Sequence, residues 1–181
     1  MSQKTVLITP YSILTLIVPP IALAYAEISN NFVFLDYVHV ITGGTWTGID
    51  LFMGLIMSRV LRSLEPNVRA EIIKRLVPMM LFFMPSLAAV ATTAGIFIAM
   101  KFGIFTPSNL LIDIAGIIVI ILIIQGFGII MPNEVRIFLE LRKDKPDTQK
   151  VIKLGMRNIY VSGSQSVFQI AIIFVMALLT I

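Results

Sequence analysis

Cysteine is absent from the 181 residues, and histidine and tryptophan occur once each, as His39 and Trp46. The first absence excludes disulfides, iron–sulfur clusters, thiolate zinc and cysteine nucleophiles. A single histidine excludes bis-histidine haem ligation, or a histidine-cluster metal site, built from one copy of the chain. Charge is scarce as well, at 13% of residues, against roughly a quarter in soluble domains. With 57% hydrophobic residues and a mean hydropathy of +0.95, the composition excludes a disordered chain and argues against a soluble globule. No nucleotide-binding loop, paired catalytic carboxylates or serine triad is present. Gly163-Ser-Gln-Ser166 is polar but has no neighbouring base to activate a serine.

What the chain does have is long, continuous apolar runs, the mark of membrane helices rather than of the alternating strands of a barrel. About 20 apolar residues cross the hydrocarbon core as a helix. Five stretches qualify, at about 6–28, 32–61, 76–100, 110–131 and 159–181. The expected fold is therefore all-α, one polytopic membrane domain of five spans, because helices alone satisfy every backbone group of such runs in lipid. In the first span Ala22, Ala24 and Ala26 mimic a signal-peptidase site, but the apolar run is too long for a signal peptide and is read as a true span. Pro10, Pro19 and Pro20 are expected to kink it.

Of the 14 basic residues, 12 fall in two connections: Arg59, Arg62, Arg69, Lys74 and Arg75, then Arg136, Arg142, Lys143, Lys145, Lys150, Lys153 and Arg157. This bias places both connections and the N-terminus in the cytoplasm and the C-terminus outside a cell or inner membrane. It also explains the pI of 9.6 without nucleic acid. Residues 67–77 read as a short amphipathic cytoplasmic helix, and Lys143-Asp-Lys-Pro-Asp147 as a solvated loop. Glu140, Arg142, Lys150 and Lys153 are expected at the lipid headgroups.

Ionisable groups inside spans are costly and need a reason. Asp50 lies nine residues from Arg59, about 13 Å along a helix and near mid-membrane. His39 and Asp113 both lie about 30 Å from the basic side, at the outer edge of the hydrocarbon. On the second span His39, Gly43, Trp46, Asp50, Met53 and Met57 share one narrow arc. Gly43, Gly44 and Gly48 bare the backbone for a neighbouring helix or a flat ligand. Several readings stay open. His39 is a ligand, or is bonded to Asp113 or a backbone carbonyl. Trp46 packs, or walls a cavity. Asp50 is protonated and bonded to Thr47 or another helix, or it handles protons. Gln125, Gln165 and Gln169 are expected to bond between helices, and the methionines to fill core.

His39-Val-Ile-Thr-Gly-Gly-Thr-Trp46-Thr-Gly48 resembles the first-helix motif of the copper-resistance D type membrane proteins and of the HemJ-type protoporphyrinogen oxidases. The resemblance covers about residues 33–178. It takes in Arg69-Ala-Glu-Ile-Ile-Lys-Arg75 leading to Pro85 and Gly95, then Met131-Pro-Asn-Glu-Val-Arg136, then Phe174-Val-Met176. It implies a four-helix bundle, with the first span an addition, binding a b-type haem, a porphyrin or a metal. His39 would be the axial or metal ligand, oriented by Asp113, with room for the ring at Gly43 and Trp46 beneath it. The oxidases have a lysine and a histidine where Asp113 and Gln125 stand here, so their activity is not carried over. A sixth iron ligand would come from Met100, Lys101, water or a second copy's His39. Three function classes follow: haem- or porphyrin-handling redox protein, proton or cation transporter using Asp50, and accessory subunit of a membrane complex. The bilayer is the expected partner in all three, joined in the last by other subunits or a second copy.

Overall fold

The computed structural model describes residues 9–107 and 109–179; Lys4, the start of the first apolar run and the end of the last lie outside them. Five helices long and apolar enough to cross a membrane follow one another: α1 (Pro10–Ile28), α2 (Phe32–Ser63), α3 (Pro66–Lys101), α4 (Leu110–Leu141) and α5 (Thr148–Leu178). No strand occurs among the described residues. The chain is thus a multi-pass helical bundle, as the apolar runs require.

The helix starts follow local chemistry. Thr9 and Ser12 form a reciprocal capping box ahead of α1, and Asn31, Asn109 and Asp147 each accept a backbone N–H at the start of α2, α4 and α5. The basic ends run further than the apolar runs suggested. Residues 67–77 are not a separate helix but the first turns of α3, because Ile73, Val77 and Leu81 continue one buried face straight through Pro78. In the same way α4 continues past Pro132 to Leu141, and α5 starts at Thr148. The α2–α3 turn is closed by Arg69. Its guanidinium donates to the carbonyls of Leu61, Arg62 and Leu64, satisfying acceptors that the end of α2 leaves over. Residues 142–147 form the expected exposed loop. Glu140 is buried, and it ties this loop by accepting from Lys143, Lys150 and the Asp147 backbone.

In the bundle α5 packs against α2, α3 and α4, while α1 lies against α2 and α3. The four later helices form the bundle proper and α1 is appended to one side. Helix α1 runs unbroken through Pro19 and Pro20. Pro20 has no N–H for the carbonyl of Leu16, and the Ser86 hydroxyl of α3 donates to that carbonyl at 3.0 Å. Ser86→Ala is expected to lower stability by about 1 kcal/mol, seen as a lower unfolding midpoint in detergent. An unchanged midpoint would mean that Leu16 finds another donor.

Two π-helical segments interrupt the regular helices, Phe52–Met57 in α2 and Gly126–Ile130 in α4. The first contains a close crossing, where Gly54 of α2 meets Gly163 of α5 backbone to backbone. Helix α3 packs on the Met131–Leu141 part of α4 but scarcely touches Leu110–Gln125, so the two diverge away from the basic end.

Candidate functional site

A cavity of about 210 Å³ lies among α2, α3, α4 and α5. Helix α2 contributes Trp46, Asp50 and Met53, and α3 contributes the small surfaces of Ala88, Ala89 and Thr92 beside Pro85. Both π segments face it, through Met53 on one side and Gly126, Phe127 and Ile130 on the other. Such segments widen a helix locally and recur at functional sites. The divergence of α3 from the upper part of α4 leaves the space open on that side.

The polar part of the wall is ordered along α5. Asn158, Ser162 and Gln165 line the cavity, and Gln169 follows at the next interval of the same helix face without lining it. Each amide has a task. Gln169 Nε2 donates to Asp50 Oδ2 at 2.9 Å, and Gln165 Nε2 donates to the Leu122 carbonyl at 3.1 Å. Asn158 Nδ2 donates to the Ile130 carbonyl at 3.0 Å, and its Oδ1 accepts from Asn133 Nδ2 at 2.9 Å. Leu122 and Ile130 bracket the second π segment, so α5 side chains hold its two ends.

Asp50 is fully buried. Ser162 and Trp46 stand beside its carboxyl, yet Oδ1 makes no hydrogen bond, and neither does Oε1 of Gln169. Glu134 is a second buried acid on the same wall, nearer the basic end. No hydrogen bond or ion pair among the described residues reaches its carboxyl. Two carboxyl groups therefore share an apolar cavity, with unspent acceptor oxygens. Such groups can hold a proton or accept from a donor; nothing in the wall neutralises them in advance.

The stripe expected on α2 divides in two. Trp46, Asp50 and Met53 line the cavity; His39 and Gly43 do not. His39 Nδ1 lies 2.9 Å from the Ala91 carbonyl, and its ring sits against Gly95 of α3. A carbonyl only accepts, so Nδ1 carries the proton and the neutral ring keeps its lone pair on Nε2. The room expected for a ring at Gly43 is faced by Ala91, whose Cβ lies 3.9 Å from where a Cβ on Gly43 would be. Asp113 is exposed in the first turn of α4 and is not the partner of His39. His39, Gly43 and Asp113 are thus not brought together with Trp46 and Asp50 around one planar group. Among the described residues no cluster of three or more His, Asp or Glu could hold a metal ion.

Asp50 takes its hydrogen bond from another helix, whereas the Thr47 hydroxyl donates to the Gly43 carbonyl within α2. Gln165 and Gln169 bond between helices as expected, and so does Gln125, to Ser164 at 3.2 Å. The sequence reading overlooked Glu134, Asn158 and Ser162. The signal was present in the regular spacing from Asn158 to Gln169. Glu134 carried none of its own, because a glutamate after an apolar run looks like a membrane edge. No protein-family model, curated protein or solved structure matches the chain.

Proposed function

We propose that the protein handles a proton or small cation inside the bilayer, with Asp50 as the anchoring acid. The observation that carries this reading is a fully buried carboxyl near mid-span, on a cavity wall, with one oxygen unpartnered. Ionisable groups so placed mark ion and substrate paths in membrane proteins. The polar face of α5 and Glu134 extend from Asp50 toward the basic end. The lysine and arginine excess assigns that end to the cytoplasm, with the N-terminus inside and the C-terminus outside a cell or inner membrane. The test is flux into liposomes under an imposed pH or monovalent-cation gradient. Flux above protein-free liposomes is expected, falling to background in Asp50→Asn. Equal flux in the variant would remove the reading.

The family resemblance supplies a second reading, a b-type haem, porphyrin or metal held through His39 in a redox or porphyrin-handling role. What favours it is the Nδ1 bond to Ala91, which fixes the ring and leaves Nε2 as a ligand atom. Haem-supplemented protein is expected to show a Soret band that His39→Ala abolishes. A wild-type protein without that band would end this reading.

A further inference from the structure

We infer that the occupant of the cavity is a compact lipophilic cation of the amine class, which enters sideways from the bilayer and sets its ammonium group on Asp50. The inference rests on the reading of Asp50 as an anchoring acid and adds the chemistry and route of what it anchors.

The wall selects for a donor. The two amide nitrogens on its wall are turned onto other acceptors, Gln165 onto Leu122 and Asn158 onto Ile130, and Gln169, outside the wall, donates to Asp50. Among the lining residues, the buried side-chain oxygen left without a hydrogen bond is Oδ1 of Asp50. Glu134 adds a second carboxyl lower down. Among the described residues no lysine, arginine or histidine lines the space. An anion would meet two carboxyls without a counter-charge, and a neutral hydrocarbon would leave buried acceptors unpaired, which is costly in either case. A primary ammonium group brings three donors and the opposite charge to the same oxygens.

The rest of the wall selects for a compact apolar body. Met80, Met84, Ala88 and Ile123 surround the remaining space, and a volume of about 210 Å³ lies below the roughly 300–1,000 Å³ of drug-sized pockets. The route is given by α4. Ile123 and Phe127 both line the cavity and are 47% exposed on the bundle surface, where α3 and α4 diverge. That surface faces acyl chains, so a molecule dissolved in the bilayer reaches Asp50 without crossing a polar vestibule.

Trp46 is the only tryptophan and stands on the wall beside Asp50, so its fluorescence reports occupancy directly. The full chain in lipid nanodiscs would be titrated with adamantylamine, adamantanol and adamantane carboxylate, which share a body and differ in head. Saturable change is expected with the amine, about tenfold or more tighter than with the alcohol, and none with the carboxylate. Asp50→Asn is expected to bring the amine to the affinity of the alcohol. Ala88→Phe, which fills the cavity, is expected to abolish saturable binding of both. Unsaturable change of similar size with all three, carboxylate binding equal to the amine, or an amine preference that survives in Asp50→Asn would overturn the inference. Amine selectivity without any ion flux in liposomes would remove the flux reading and leave this one standing.

Discussion

Gly54→Val is expected to prevent assembly of the native bundle or to destabilise it by at least about 3 kcal/mol. A Cβ on Gly54 would overlap the backbone of Gly163, and a Cβ on Gly163 would lie 3.0 Å from the Cα of Gly54. Neither obstacle is a side chain that can swing away, so relief requires α2 and α5 to separate along their crossing. That crossing sits within the π segment, one turn beyond Asp50, and on α5 it is the residue next to Ser162. Separation would therefore cost packing and also draw Gln169 away from Asp50. In lipid, close approach at small residues is a main source of helix association, because apolar side chains gain little by leaving acyl chains. Thermal unfolding in detergent would measure the effect, with Gly163→Ala as the milder step. A Gly54→Val protein of unchanged midpoint would show that the two backbones are not in contact.

The number of membrane-length helices was legible because each apolar run is longer than any soluble core requires. The ends of the helices were harder to read. Past the membrane boundary α3, α4 and α5 continue as amphipathic helices, whose buried faces at Ile73, Ile137, Val151 and Ile152 form one cluster. Hydropathy falls there although the helix does not stop. The π segments left no local mark, since Gly54 and Gly126 fit an ordinary membrane helix equally well. The largest misreading concerned which face of α2 meets which neighbour. His39, Gly43, Trp46 and Asp50 share an arc, but α3 covers the first two while its divergence from α4 uncovers the last two. That distinction depends on where two other helices cross, which no pattern within α2 contains. Glu134 was hidden for the same reason, its burial being supplied by α3 and α5.

Asp50→Asn is expected to separate stability from function. Asparagine keeps the volume of the side chain, so the walls of the cavity need not move. Its carbonyl oxygen can still accept from Gln169 Nε2, which now donates to Asp50 Oδ2 at 2.9 Å. Its amide group then takes the place of Oδ1, which has no hydrogen-bond partner. An uncharged amide thereby replaces a buried carboxyl that has an unsatisfied oxygen. The variant is expected to gain about 0.5–2 kcal/mol, the usual yield of relieving a functional site, seen as a higher unfolding midpoint in detergent. The same change removes a carboxyl able to carry a negative charge or exchange a proton on the cavity wall, so liposome flux is expected to fall to background. A loss of flux together with a lower midpoint would mark Asp50 as a structural acid, held for packing and hydrogen bonding alone. A raised midpoint with flux abolished is the signature of a group kept at a cost because the cavity needs its charge.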